Sequence, residues 1–251
     1  MKLNFLVAPD FSPDSFSGWY MLSTLLQRRS GIGLHLMMPA NPAEQTALLA
    51  ADEVDLLYAN PFDAAALVRS EGYRAFARPA HRSDEMIIAT AAGSSLERVE
   101  DLRPVHRIAV TNNRDVKLIG LRLLEPADLT EEDIEWIRVD SYQSVARQVM
   151  THQVDAGFFL ADAYHALSRL TRERMKVLVE SQLRDISHVL LAHPRIGDDL
   201  AIMREAVLGI GAQGEPSDSE VLEALGLPGG FEPMVEEDVE FMIDLMDTLL
   251  D

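Results

Sequence analysis

An α/β architecture, with strands and helices alternating along the chain and enough of them for two lobes, is what this sequence predicts. Two patterns lead to it. Short apolar runs bounded by turn residues alternate with stretches whose apolar residues recur at helical spacing. There are also more of these alternations than one small sheet can hold, and 251 residues suffice for one large or two modest domains. Strand–helix alternation argues for helix-covered, parallel sheets.

Taken in order, residues 3–8 form the first strand, followed by the loop PDFSPDSFSG. Residues 16–29 read as a helix capped by Ser15 or Asp14, with Trp19, Leu22, Leu25 and Leu26 inward and Gly31 and Gly33 closing it. Strands follow at 32–38 and 54–58 around a short helix at 43–51, and Asn60-Pro61 opens the next helix with Pro in its first turn. Strands at 73–78 and 85–90 lead to a short helix from Ser94 to Leu102. Beyond residue 124 come strands at 134–139, 154–160, 175–180 and, as the last strand, 186–192. Helices occupy 142–151, 162–170, 196–211, 219–225 and 235–250, and GLPGGFEP (226–233) reads as a linker.

The stretch 105–124, VHRIAVTNNRDVKLIGLRLL, carries the strongest functional signal. Ile108, Ala109 and Val110 form a buried strand, Thr111 to Asn113 break it, and apolar residues from Val116 onward follow helical spacing. Thr111, Asn112, Asn113 or Asp115 can cap the helix start. Such a strand–turn–helix unit offers free backbone N–H groups and a positive dipole end to an anion or polar ligand. A capped turn without a ligand is the plainer alternative, because every α/β protein contains several. Ligands of open α/β sheets sit at the carboxyl ends of strands. The loops to watch therefore follow Ala8, Tyr58, Val110, Val139 and Phe159, and carry Asp10 and Ser12, Asn60, Thr111 to Arg114, Ser141 and Tyr142, and Asp162.

Composition narrows the function. A net charge of −19 argues against nucleic acids and anionic membranes as partners, and requires a local basic group for any bound anion. With no cysteine, disulfides, thiolate metal sites and cysteine nucleophiles are excluded. No run is long and apolar enough to cross a bilayer, so direct membrane insertion is not expected. The first strand begins directly after Met1 and Lys2, which gives a cytoplasmic reading of the sequence as written, or a periplasmic one if a signal peptide has been removed.

Four stretches stand in a set order: VAPDFSP near the start, DEVDLLYANPFDAAALV (52–68), EGYRAFARPAHRSDEMIIATAAGSSLERVEDLRPVHRIAV (71–110) and SYQSVARQVMTHQVDAGFF (141–159). This ordered series resembles the phosphate/phosphite/phosphonate-binding proteins of ABC transporters, a branch of the type II periplasmic binding proteins, and the resemblance weakens beyond about Ala192. It implies a two-lobed type II periplasmic-binding-protein-like fold joined by two crossing strands, with a ligand cleft between the lobes. Lobe 1 would be residues 1–82 plus 187–251 and lobe 2 residues 83–186. Hinge closure on the ligand is the implied motion. In the family a Ser-Thr-Ser-Gly turn meets the phosphonate oxygens; the matching positions here are Asn113, Arg114, Asp115 and Val116, so the hydroxyls are lost and Asp115 would repel the anion. Tyr142 stands where the family carries a His. Arg114 would restore anion binding by a charge-assisted contact, against the plainer reading of a solvated arginine at a helix start.

The expected ligand site is therefore Asp10, Asn60, Thr111, Asn112, Asn113, Arg114 and Tyr142, with Arg114 as charge partner, Tyr142 as a wall and the others as hydrogen-bond partners. No catalytic residue, metal or cofactor is expected. The seven histidines lack HxxxH or HExxH spacing, and no GxSxG, GxGxxG or Walker pattern occurs. Asp52, Asp55 and Asp155 read as turn and strand-edge residues, and Trp19 and Trp136 as core. Near His188, Asp185 or Ser187 falls where the family's second crossover contributes a carboxylate. After Arg204 no Lys, Arg or His occurs, and the last helix carries an apolar stripe of Val235, Val239, Met242, Ile243, Met246 and Leu250, which packs on the first lobe or docks a basic partner protein. Three functions fit: a non-catalytic module binding a small polar or anionic ligand, a degenerate homologue acting as a protein-interaction factor, or an enzyme of menaquinone-pathway type on the same fold. The first is the expectation.

Overall fold

The computed structural model describes residues 2–9, 15–51, 53–182, 186–211 and 215–250. Along the chain run β1 (Lys2–Val7), α1 (Phe16–Ser30), β2 (Gly33–Met37), α2 (Pro42–Ala50), β3 (Leu56–Ala59), α3 (Pro61–Glu71), β4 (Arg74–Pro79) and β5 (Met86–Ala91). Then come β6 (Arg107–Val110), α4 (Arg114–Leu123), β7 (Glu135–Arg138), α5 (Tyr142–Met150), β8 (Ala156–Leu160), α6 (Ala161–His165), α7 (Arg169–Arg172) and β9 (Met175–Glu180). The last part holds β10 (Val189–Ala192), α8 (Asp199–Leu208), α9 (Pro216–Leu225), β11 (Phe231–Pro233) and α10 (Glu236–Leu250). The chain divides into two compact units, one of residues 1–82 with 187–246 and one of residues 83–186 with 247–251.

The first unit is built on a six-stranded sheet of order β11-β4-β10-β3-β1-β2. The inner strands β3 (LLYA) and β10 (VLLA) are buried along their whole length, the near-continuous apolar pattern of strands covered on both faces. Trp19, Leu22, Leu25 and Leu26 of α1 pack against Leu3, Phe5 and Tyr58, and Met203, Val207, Leu222 and Leu225 of the C-terminal helices complete that core. α1 ends at Gly31, whose φ of 69° is the left-handed geometry that closes a helix at little cost only for glycine.

The second unit holds a five-stranded sheet of order β7-β6-β8-β5-β9. Its core joins Ile87 and Ala89 of β5 to Ala109, Phe159 and the Val145, Ala146 and Val149 face of α5. Two aspartates play equivalent parts in the two sheets. Asp55 ahead of β3 accepts the backbone N–H of Asn4 at 2.8 Å, and Asp155 ahead of β8 accepts that of Arg107 at 2.7 Å. Each carboxylate thereby locks the start of a strand to its neighbour, in keeping with a strand-edge role.

The alternation of strands and helices is as the sequence predicts, but the sheets are mixed rather than parallel. β10 runs antiparallel to both β3 and β4, and β5 antiparallel to both β8 and β9. These strands are separated from their partners by long stretches of chain, and apolar periodicity does not encode the direction in which they pair. The expected last strand is not the last: within the supposed linker, β11 pairs antiparallel with β4. Leu227 and Phe231 are buried and hold that segment down, and Arg78 pairs with Glu232 at 2.6 Å across the two strands. The expected helix at 94–102 is only a single 3-10 turn at Val99–Asp101, because Asp101 turns back to accept the N–H groups of Glu97 and Arg98. The expected helix at 162–170 is two short ones, the second started by Ser168, whose hydroxyl accepts the N–H of Thr171. The helix expected over 196–211 is shortened at both ends to α8.

Candidate functional site

In the second unit, β6 and β7 are parallel neighbours, with Val110 opposite Arg138 and the N–H of Val139 donating to Val110 O at 3.0 Å. Their carboxyl ends therefore lie side by side, and each feeds a helix. After β6, the Thr111 hydroxyl accepts the N–H of Asn113 at 3.4 Å, which bends the chain. Asn113, with extended backbone at φ −70° and ψ 110°, is the N-cap of α4, and its Oδ1 accepts the Val116 N–H at 3.1 Å. Its carbonyl receives Lys117 N–H at 3.3 Å. Among the four candidate caps, the structure thus assigns the role to Asn113. Asn112 and Arg114 are exposed and Thr111 is half-buried. The first turn of α4 presents leading N–H groups and the positive end of the helix dipole.

Asp115, the second residue of α4, is only 5% exposed. A carboxylate there is favoured by the helix dipole and opposes a second anion at the same end. Arg114, the first residue of α4, is exposed beside it. After β7, Ser141 caps α5 by accepting the N–H of Ser144 at 3.2 Å, and Tyr142 opens the helix with its ring stacked 6.3 Å from Phe159. Thr111, Asn112, Asn113, Arg114 and Tyr142 accordingly follow the adjacent carboxyl ends of two strands of one sheet. Beyond Phe159, Tyr164 lies edge-on at 5.3 Å, and burial holds its phenol above the ordinary value, so it stays neutral.

In the first unit, Asn60 stands at the carboxyl end of β3 as the N-cap of α3. Its Oδ1 accepts Asp63 N–H at 2.8 Å and its Nδ2 donates to Asp63 Oδ2 at 3.0 Å, while Gln45 Nε2 donates to the same oxygen at 2.7 Å. Capping and a side-chain network thus already engage this residue. Asp10 lies outside the described residues, as does Asp185. Ser187 and His188 are described and buried, and the His188 ring stacks on Tyr58 at 5.3 Å.

Sequence reasoning missed two concave surfaces of this unit. One, of about 230 Å³, lies at the carboxyl ends of β1 and β2 and is lined by Val7, Ala8, Trp19, Met38 and Ala40 among others. The other, of about 580 Å³, is bordered by Arg74, Phe76, Leu200, Arg204 and Leu208 along α8. Alternating strand residues and a helix-facing tryptophan look like core in the sequence, and only the strand ends show that some of them face a cavity. Among the described residues, no group of three or more His, Asp or Glu side chains is arranged to hold a metal ion, and no helix is long and apolar enough to cross a membrane.

Comparison with known proteins sets these features in a family. Residues 5–239 match the family model described as ABC transporter, phosphonate, periplasmic substrate-binding protein. A sequence search of curated proteins finds no match. Among solved structures, PhnD1 from Prochlorococcus marinus in complex with methylphosphonate is similar with a TM-score of 0.79 at 12% identity, covering 99% of this chain and 98% of that one. XAC2383 from Xanthomonas citri bound to ATP is similar with a TM-score of 0.76 at 18% identity, covering 100% and 98%. The periplasmic aliphatic sulphonate binding protein SsuA from Escherichia coli follows with a TM-score of 0.67 at 18% identity, covering 99% and 91%. At these identities the likeness is one of fold. The family match spans nearly the whole chain and agrees with the two-sheet α/β architecture, so the chain belongs to the family of phosphonate-type periplasmic substrate-binding proteins of ABC transporters, which are binding proteins and not enzymes.

Proposed function

We propose that this chain binds a small oxyanion of the phosphonate type in a cleft between two lobes, residues 1–82 with 187–251 and residues 83–186, and delivers it to a membrane transporter. The observation that carries the reading is the turn from Thr111 to Arg114, where an asparagine-capped helix start and a single exposed arginine converge at the carboxyl end of a sheet. Backbone N–H groups and the α4 dipole attract the anion, and Arg114 supplies a charge-assisted contact that outweighs Asp115. Asn112, Asn113, Thr111 and Asn60 contribute hydrogen bonds, Tyr142 a wall, and Asp10 a further polar contact. The methylphosphonate of the PhnD1 structure and the sulphonate class named for SsuA support an oxyanion as the ligand class.

A thermal-shift screen with phosphate, phosphite, sulfate, methylphosphonate and carboxylates tests the reading. A ligand at about a hundred times its dissociation constant adds roughly 2.7 kcal/mol to the stability of the fold. Stabilisation by an oxyanion, lost in Arg114→Ala, is the expected result. Stabilisation that survives Arg114→Ala removes the arginine from the site, and no stabilisation by any oxyanion removes the proposal. The second reading, a protein-interaction factor, draws on α10: Glu236, Glu237 and Asp238 form its first turn and Phe241 is 52% exposed, an acidic and partly apolar face suited to a basic partner.

A further inference from the structure

We infer that Arg138 is a second cation of the anion site at α4, and that Arg114 and Arg138 together select a doubly charged oxyanion, a phosphonate or phosphate monoester, over a singly charged one such as a sulfonate. The inference rests on the oxyanion reading above and deepens it. Arg138 is the last residue of β7 and stands opposite Val110, the last residue of β6, from which the chain continues into the Thr111–Arg114 turn. Strand alternation fixes the face on which it lies. Ile137 and Val139 pack into the core that holds Val145, Ala146 and Val149 of α5. Trp136 points the other way, where its ring meets Phe158 edge-on at 5.5 Å and receives Lys117 Nζ of α4 at 4.8 Å. Arg138, two residues beyond Trp136, therefore leaves the sheet on the α4 side.

Helix and strand carry the two arginines to the same end of the sheet. β6 and β7 are parallel, so α4 leaves the carboxyl end of β6 and returns along the sheet. Arg114 thus lies one turn, about 4.5 Å, ahead of Lys117 toward that end. Arg138 lies about 6.6 Å ahead of Trp136 in the same direction. Outward from the Lys117–Trp136 contact, Arg114 and Arg138 are the next pair. Both are exposed, and among the described residues neither guanidinium makes an ion pair or a hydrogen bond. In a chain of net charge −19 they differ in this from Arg29, Arg78, Arg122 and Arg195, each paired with a carboxylate. Asp140, exposed two residues on, makes no ion pair with Arg138 among the described residues. Neighbouring cations repel, and an anion between them replaces that repulsion by two attractions. Each guanidinium offers a planar fork of donors that matches two oxygens of a tetrahedral oxyanion. The gain from each scales with the charge of the anion, so a second cation favours a dianion.

Titration calorimetry with methylphosphonate and methylsulfonate, at alkaline pH where the phosphonate is dianionic, tests the inference. The two anions share a methyl group and a tetrahedral centre bearing three oxygens, and differ in charge. Arg138→Ala is expected to weaken methylphosphonate binding about five- to ten-fold, the effect of one charge-assisted contact at an exposed site. Methylsulfonate should lose only about two- to three-fold, because the Coulomb energy halves with the charge. Arg138→Lys, which keeps the charge, should restore part of the loss. Arg147→Ala removes the same charge from an exposed position in the last turn of α5, and should leave both affinities within about two-fold because exposed charges are screened over such distances. A melting curve of each variant verifies folding, and the Arg138 Nε–H resonance should shift as methylphosphonate is added to the unaltered chain. Unchanged binding in Arg138→Ala, with binding weakened in Arg114→Ala, overturns the second cation and leaves the oxyanion reading in place. Equal losses for the two anions overturn the charge selection. A loss in Arg147→Ala as large as that in Arg138→Ala reduces the effect to the general field of the protein and also overturns the inference. Absence of binding for both anions overturns the oxyanion reading, and this inference with it.

Discussion

Gly120→Ala sets two known effects against each other at the helix that bears the proposed anion site. Gly120 lies on the buried face of α4, in register with Val116 one turn earlier. A Cβ there would stand 2.2 Å from Phe158 Cε2, 2.6 Å from Cδ2 and 2.8 Å from Cζ. Attractive carbon contacts lie near 3.5–4.0 Å, so helix or ring would have to retreat by roughly 1 Å or more. The ring is not free to do so, since Phe158 is fully buried and set edge-on against Trp136 at 5.5 Å, with Lys117 Nζ 4.8 Å over the indole. Helix propensity favours alanine over glycine by about 1 kcal/mol, whereas overpacking of a closed core costs about 1–3 kcal/mol. At 2.2 Å the contact belongs in the upper half of that range, about 2–3 kcal/mol, so overpacking wins. A net loss of about 1–2 kcal/mol is expected, or roughly 2–8 °C in melting temperature. Urea denaturation followed by tryptophan fluorescence reads it directly. The double variant Gly120→Ala with Phe158→Leu, which replaces the ring, should cost less than the sum of the two single changes. A gain of about 1 kcal/mol in Gly120→Ala alone would refute the reasoning, because propensity would then act unopposed.

Two further predictions concern charge. Arg29 donates to both carboxylate oxygens of the fully buried Asp218 at 2.7 and 2.8 Å, and Gly211 N–H donates to Oδ2 at 2.8 Å. Arg29→Ala therefore leaves a buried carboxylate short of its cation and should cost about 3 kcal/mol, the lower end for such pairs because Arg29 is partly exposed. Chemical denaturation of Arg29→Ala and of the double variant with Asp218→Asn checks this, with the double variant expected to recover part of the loss. Asp133, on the surface, accepts both the N–H and the hydroxyl of Thr130, at 2.8 and 2.7 Å, and the backbone bond first and the hydroxyl second hold its pKa below the ordinary value. Its folded pKa is lower than its unfolded one, so its contribution is complete above the unfolded value and is lost as pH falls through the folded one. NMR titration should find Asp133 protonating at lower pH than a free aspartate, and Thr130→Ala should move that titration upward.

What was legible in the sequence followed from local chemistry. Asn60-Pro61 opens α3 as expected, with the asparagine side chain accepting the N–H three residues on, and the same pattern at Asn41-Pro42 opens α2 one residue before the expected start at 43. The polar break TNN before RDV marked the β6–α4 turn in the same way, although only the geometry singles out Asn113 as the cap. What was not legible depended on partners far along the chain. The direction of β10 is set by its pairing with β3 and β4, more than a hundred residues earlier, and an apolar run reads the same in either direction. β11 was hidden because three glycines and two prolines outweigh one phenylalanine in local propensity, while pairing with β4 reverses the balance. The cavity beside Trp19 was hidden for a related reason: apolar residues around an empty recess and apolar residues around a filled core have the same composition.

The central claim is that an oxyanion sits at the N-terminus of α4, and an amide-resolved NMR titration with methylphosphonate tests it most directly. Saturable shifts should be largest at the N–H groups of Arg114, Asp115 and Val116, with smaller ones at Tyr142, and should weaken in Arg114→Ala. No saturable shift, or shifts gathered at Leu200 to Leu208 along the α8 hollow with α4 unchanged, would contradict the account.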